Sequence, residues 1–129
     1  CHNDLLRANL LRTPEGLRLV DWEYAGMNDR WFDLGNLAAN NGLEAEDERV
    51  LLRAYWDEEP TPRRLAALAL MRFISDFREA MWGVAQTVLS DLDVDYVAYA
   101  AEHFTRLRDR ARDPRMETWL ADASGQPPA

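Results

Sequence analysis

The feature that most constrains this chain is a long helix written into its middle. Pro60-Thr61-Pro62 interrupts the chain, and Leu70, Phe73, Ile74, Phe77, Met81, Val84 and Val88 then recur at steps of three and four out to about Leu89. Apolar residues at that spacing form one broad stripe of an amphipathic helix, and such a stripe ordinarily faces a core. Thr61 is placed to cap the helix, and Pro62 suits its first position because proline has no N–H to leave unpaired there. In 129 residues, a helix of this length sets the class: one domain, mainly α.

The other segments fit around it. Leu10-Leu11-Arg12 and Leu17-Arg18-Leu19-Val20 flank Thr13-Pro14-Glu15-Gly16, whose proline, polar residue and glycine predict a tight turn and therefore a small β-hairpin. A helix is expected from Trp31 to about Asn40, with Gly42 ending it, and a second from Ala45 to Trp56, with Val50, Leu51, Ala54 and Tyr55 inward. Ser90 to Asp93 reads as a turn. A helix over about Asp95 to Arg112 follows, with Val97, Ala101, Phe104 and Leu107 inward and four arginines in its last turns, where they complement the helix dipole. A short helix from Pro114 to Ala121 precedes a disordered tail over 123–129. There is no internal repeat.

Composition excludes several functions. All 15 cationic side chains are arginine, so lysine chemistry is ruled out: no Schiff base and no Walker-type phosphate loop. With 23 acidic residues the net charge is −8, which argues against nucleic acid or an anionic membrane and leaves room for a cationic ligand. The apolar run from Leu65 to Met71 stops at Arg72, far short of a membrane span. The lone Cys1 cannot form an internal disulfide, and a reducing cytoplasm is the expected location. A first residue that is not methionine, followed by a polar stretch, suggests a chain that starts inside a longer protein.

The chemistry gathers beside the hairpin. His2-Asn3-Asp4-Leu5-Leu6-Arg7-Ala8-Asn9 fits H-x-D-x-x-x-x-N, the pattern of kinase catalytic loops. Phosphoryl transfer to a hydroxyl needs a carboxylate to orient the nucleophile and take its proton, and oxygen ligands to hold magnesium against the phosphates. Asp4 suits the first role and Asn9 the second. Asp21, which follows the apolar strand Leu17 to Val20, is the candidate second metal ligand, because the hairpin brings its strand ends together. Glu23 is a candidate for a further metal oxygen. Taken singly, each has a plainer role: His2 as a structural anchor, Asp4 and Asn9 as a loop cap, Asp21 as a strand-end turn residue.

Together with Leu19-Val20-Asp21-Trp22-Glu23-Tyr24-Ala25-Gly26 and Arg30-Trp31-Phe32-Asp33-Leu34-Gly35-Asn36, this loop resembles the choline/ethanolamine kinase family, a branch of the aminoglycoside-phosphotransferase-like kinases. The likeness is strong over about residues 1 to 40 and weaker to about residue 110. It implies the helical C-terminal lobe of a protein-kinase-like fold over residues 1–122, with the catalytic loop and metal hairpin in 1–26 and a helical subdomain in 28–122. The N-terminal nucleotide lobe would be absent from these residues. The implied reaction transfers the γ-phosphate of ATP, with Mg2+, to the hydroxyl of choline or a related amino alcohol. Asp4 then matches the base, Asn9 and Asp21 match the metal ligands, and Asp33 matches a carboxylate that anchors the catalytic loop.

The family binds its quaternary ammonium with aromatic faces through cation–π attraction, and Tyr24, Trp82 and Tyr99 match the cage positions. The chain departs from the family where a second cage tryptophan would stand, at Glu79, and where an acidic residue would follow the F-D-L-G-N helix, at Asn40. Glu79 and Trp82 share a helix face at i, i+3, so Glu79 is a candidate replacement for the charge missing at Asn40. The alternatives are a kinase of an aminoglycoside or other small hydroxylated amine, a non-catalytic helical remnant, and a metal-assisted hydrolase. The hydrolase ranks last, because His2 and His103 are the only histidines and lie far apart in the chain.

Overall fold

The computed structural model describes residues 1–125. A loop with a single 3-10 turn over Arg7–Asn9 leads into strands β1 (Leu10–Thr13) and β2 (Gly16–Leu19). Five helices follow: α1 (Arg30–Asn40), α2 (Ala45–Trp56), α3 (Pro62–Leu89), α4 (Tyr96–Ala111) and α5 (Met116–Ser124). Among the described residues the fold is mainly α with one antiparallel hairpin. The hairpin pairs Leu10 with Leu19 and Thr13 with Gly16, and Gly16 takes the positive φ of 122° that the tight turn requires.

The helix ends follow their capping chemistry. Asp29 accepts from the Trp31 N–H at the start of α1, Thr61 from the Arg64 N–H at the start of α3, and Asp95 from the Ala98 N–H at the start of α4. Glu44 and Asp47 cap the start of α2 reciprocally. The helix at the C-terminus runs through Ser124, so residues 123 and 124 are helical rather than part of a disordered tail. Gly125 ends the helix in the left-handed region, where glycine carries no Cβ penalty. The rest of the expected tail, residues 126–129, lies outside the described residues.

Helix α3 is the axis of the molecule and packs against α1, α4 and α5. Two glycines permit its closest approaches: a Cβ on Gly35 would lie 2.6 Å from the Met71 backbone carbon, and one on Gly83 would lie 2.9 Å from Tyr99 Cδ1. The apolar core is small and sits at one end, where Leu34, Ala38, Leu52 and Leu68 are buried against Trp31, Leu43, Leu51, Trp56 and Leu65.

The expected inward faces are corrected in three helices. On α2 the buried residue is Leu52, while Val50, Ala54 and Tyr55 are exposed. On α4 the inward side is Tyr96, Ala100 and His103, and Val97 and Ala101 face out. The apolar stripe of α3 is turned outward: Ile74, Phe77, Met81 and Val84 are exposed, and Val88 is 85% exposed. Its buried side carries Ser75, Asp76, Glu79, Ala80 and Gly83 instead. The physical reason is polar pairing. The inner faces of α1 and α4 offer Asn36, Tyr99 and His103, and a buried carboxylate needs such partners.

Candidate active site

The loop ahead of β1 is held in place by α1. The Asp33 carboxylate accepts the backbone N–H groups of His2 at 2.7 Å and Asn3 at 2.8 Å. Asn36, fully buried, accepts the Leu5 N–H at 2.6 Å, and Asn41 donates to the Leu5 carbonyl at 2.9 Å. Asp4 is thereby gripped on both sides. Its own carboxylate accepts from Asn9 Nδ2 at 3.1 Å, and its carbonyl accepts from the same nitrogen at 3.0 Å. His2 is buried, and its Nε2–H donates to the Val20 carbonyl at 2.9 Å, tying the loop to the end of the hairpin.

The hairpin returns the chain to the same place. The Val20 N–H donates to the Asn9 carbonyl at 3.1 Å, which sets Asp21 next to the end of the loop. Asp21 has φ of +65°, an uncommon conformation for a residue other than glycine and one often found at functional sites. Among the described residues neither Asp21 nor Glu23 makes an ion pair or accepts a hydrogen bond, so both carboxylates are free for other ligands. Asn9 commits its amide nitrogen to Asp4 and leaves Oδ1 as the atom available to a cation.

These donors fit a magnesium ion of a particular kind. Among the described residues no group of three or more His, Cys, Asp or Glu side chains could cage a metal by itself. Magnesium is commonly held by one or two carboxylates, completing its octahedron with water and substrate phosphates. Two carboxylates and an amide oxygen suit an ion shared with a phosphate, and do not suit a closed structural site.

A cavity of about 130 Å³ opens beside Asp4, lined by Leu6, Glu23, Tyr24, Arg78, Glu79, Trp82 and Tyr99. It gathers Asp4, Glu23 and the four residues expected to bind substrate, while Asn9 and Asp21 do not line it. Trp82 Nε1 donates to the Tyr24 hydroxyl at 3.3 Å, and the Trp82 ring meets Tyr99 edge-on at 5.6 Å. Tyr24 is steadied from behind by Asn3, whose Nδ2 donates to the Tyr24 carbonyl at 2.9 Å. A larger hollow of about 600 Å³ lies between α1, α3 and α4, but its floor is the ion pairing of Asp76 with His103, Arg106 and Arg110, and it lacks the loop residues.

Glu79, 3% exposed, is the hub of the network beneath the cavity. Its Oε1 accepts from Arg78 at 2.8 Å, Asn36 at 3.3 Å and Asn40 at 3.4 Å, and its Oε2 accepts from the Tyr99 hydroxyl at 2.7 Å. The pairing of Glu79 with Asn40 brings together the two positions at which the sequence departs from the family pattern. Burial raises the Tyr99 pKa well above its ordinary value, and the hydrogen bond to Glu79 raises it further, so the phenol stays protonated.

Three residues that sequence reading passed over organise this site. Arg78 reaches Asp4 Oδ1 at 3.4 Å and lies 5.2 Å over the Tyr24 ring. Asn36 joins the loop to Ser75 and Glu79 of α3, and Asn3 holds the loop bearing Tyr24. A charged residue next to Glu79, one turn before Trp82, was the available signal for Arg78. Asn36 and Asn3 carried none, because their partners are remote in sequence.

Comparison with known proteins shows the family and the fold. Residues 1–68 fit the model of the phosphotransferase enzyme family (APH). Ethanolamine kinase 2 of Homo sapiens is 30% identical over 82% of this chain and 33% of its own length. The crystal structure of a choline/ethanolamine kinase family protein from Mesorhizobium loti superposes with a TM-score of 0.87 at 33% identity, over 95% of this chain and 42% of that one. A choline kinase from Cryptosporidium parvum shares the fold, with a TM-score of 0.74 at 22% identity, over 93% of this chain and 40% of that one. The chain therefore spans about a third of the length of the human relative. It belongs to the phosphotransferase enzyme family.

Proposed function

From that membership we infer that these residues form the acceptor-binding and metal-binding half of an ATP-dependent kinase of a small amino alcohol such as ethanolamine or choline. The observation that carries the reading is the meeting of Asp4, Tyr24, Glu79, Trp82 and Tyr99 around one small cavity. Asp4 orients the acceptor hydroxyl and takes its proton. The hydroxyl oxygen forms a bond to the γ-phosphorus of ATP while the bond from that phosphorus to the ADP oxygen breaks. Tyr24, Trp82 and Tyr99 offer aromatic faces to the ammonium group, and Glu23 and Glu79 supply negative charge. His2 and Asp33 position the loop. Asn9, Asp21 and Glu23 would hold Mg2+, which when bound screens the charge of the phosphates.

A cavity of about 130 Å³ suits a small amino alcohol better than an aminoglycoside. Lysine is absent throughout, so the cation that steadies the phosphates would come from the part of the relatives that this chain does not match. The outward apolar residues Phe77, Met81, Val84 and Val88 of α3 are the surface we assign to contact with that part, because contiguous apolar patches are uncommon on a free surface. ATP use and the lone Cys1 suit the cytoplasm, and among the described residues no helix is long and apolar enough to cross a membrane.

The test is ATP-dependent phosphorylation of ethanolamine, choline and an aminoglycoside by the full-length protein, with Asp4→Ala as control. Phosphorylation of an amino alcohol that Asp4→Ala abolishes is the expected result. Turnover that survives Asp4→Ala would remove the base from its role. Binding of the amines without any transfer would favour the non-catalytic remnant.

A further inference from the structure

The cavity already contains a cation. The Arg78 guanidinium donates to Glu79 Oε1 at 2.8 Å, approaches Asp4 Oδ1 at 3.4 Å and lies over the face of Tyr24 at 5.2 Å. Those contacts, two carboxylates and one aromatic face, are the kinds of contact an acceptor ammonium needs. An ammonium and this guanidinium cannot use the same oxygens and the same ring face together.

The surroundings allow the arginine to leave. Its side chain is 26% exposed, whereas that of Glu79 is 4% exposed. Arg78 and Tyr24 form a partition between the acceptor cavity and a second, open hollow of about 470 Å³ that Asn3, Asn28 and Ile74 also line. If the guanidinium swings into that hollow, Glu79 keeps Asn36, Asn40 and Tyr99, and Asp4 keeps Asn9. Neither carboxylate is stranded, so the cost of displacement is confined to the bonds of Arg78 itself.

Resting on the acceptor-site reading above, we propose that Arg78 is a resident cation of that site, which an incoming ammonium must displace from Tyr24, Glu79 and Asp4 toward the neighbouring hollow. Arg78 is thus a specificity-determining residue. It offsets one of the three carboxylates, Asp4, Glu23 and Glu79, that line the empty site, and it lowers the apparent affinity for an amine by the fraction of molecules in which it has moved aside. Only a cation able to outcompete a guanidinium enters.

The experiment uses tetramethylammonium, a cation without a hydroxyl, so binding is read without turnover. In the full-length protein Arg78→Met is expected to bind it at least about five-fold more tightly, as removal of a competing conformer predicts, and Arg78→Lys, which keeps a cation, to lie nearer the unaltered protein. In the unaltered protein the Arg78 Nε–H signal in nuclear magnetic resonance should shift on saturation, a readout that does not depend on Arg78→Met folding. Equal or weaker binding by a folded Arg78→Met, or an unmoved Arg78 signal, overturns the proposal, as does absence of binding by both proteins. Displacement of Arg78 without phosphorylation of any acceptor would leave the proposal standing and remove the kinase reading. Phosphorylation of an amine with the same KM in Arg78→Met would do the reverse.

Discussion

Glu79→Gln tests whether the buried carboxylate is the hub of the site. Glutamine keeps the shape and removes the charge. Oε1 faces three donors, from Arg78, Asn36 and Asn40, and Oε2 faces the Tyr99 hydroxyl, which can turn and accept instead. The amide NH2 must therefore point to Tyr99. The bond from Arg78 loses its ion pair but stays charge-assisted through the guanidinium, and the bond with Tyr99 becomes neutral, at about 1 kcal/mol each. Relief of carboxylate desolvation acts the other way. Arg78 keeps Asp4 at 3.4 Å and some water, so it is not stranded. The net loss should be about 1–2 kcal/mol, a fall in Tm of roughly 3–10 °C for a domain of this size.

Thermal unfolding measures the first quantity, and alkaline titration of Tyr99 gives a second. Burial is the larger cause of the raised Tyr99 pKa, and the hydrogen bond and charge of Glu79 add to it. Glu79→Gln should lower that pKa while leaving it above the ordinary value. A raised folded-state pKa contributes stability that is whole below the unfolded value, near 10, and is lost as pH climbs toward the folded one. The variant should therefore lose less stability than the unaltered protein between neutral pH and strong alkali. A variant as stable as the unaltered protein, with Tyr99 titrating as before, would refute the hub.

Asn36→Ala removes the acceptor of the buried Leu5 N–H and the donor to Ser75 and Glu79, and should cost about 2–4 kcal/mol, measured by urea unfolding; a cost under about 1 kcal/mol would mean that the loop is held by other contacts. At the surface, hydrogen bonds from Arg115 hold the Asp113 carboxyl down at about 2. The stability it contributes is complete above the ordinary value near 4 and is lost as pH falls toward 2, so its carboxyl signal should titrate near pH 2, and a midpoint near 4 would break the pairing.

Element boundaries were legible because they are local. Thr61 and Pro62 start α3 and the periodicity carries it to Leu89, while Pro14 to Gly16 turns the hairpin. The pairing within the loop ahead of β1 was legible for the same reason: Asp4 and Asn9 are five residues apart, and the hairpin returns Val20 to Asn9. Arg78 was not, because it meets Asp4 across 74 positions, and no spacing rule reaches that far. The inward faces failed for a different reason. Periodicity finds the two sides of a helix, but which side is covered depends on what its neighbours offer.

That dependence explains why α3 governs the site. Had its apolar stripe packed inward, Ser75, Asp76 and Glu79 would face water, and Asn36 would be buried against hydrocarbon with its amide unpaired, a loss of at least one hydrogen bond's desolvation. The observed rotation pairs Asn36, Asn40, Tyr99 and His103 with α3 carboxylates or hydroxyls. A packed hydrocarbon interface tolerates sliding better than a network in which every donor needs its own acceptor. The same Asn36 that pairs with α3 also fixes the Leu5 N–H, so the position of Asp4 is referred to α3 through two hydrogen bonds. The loop residue proposed as base and the aromatic groups proposed to hold its substrate thus share one rigid reference.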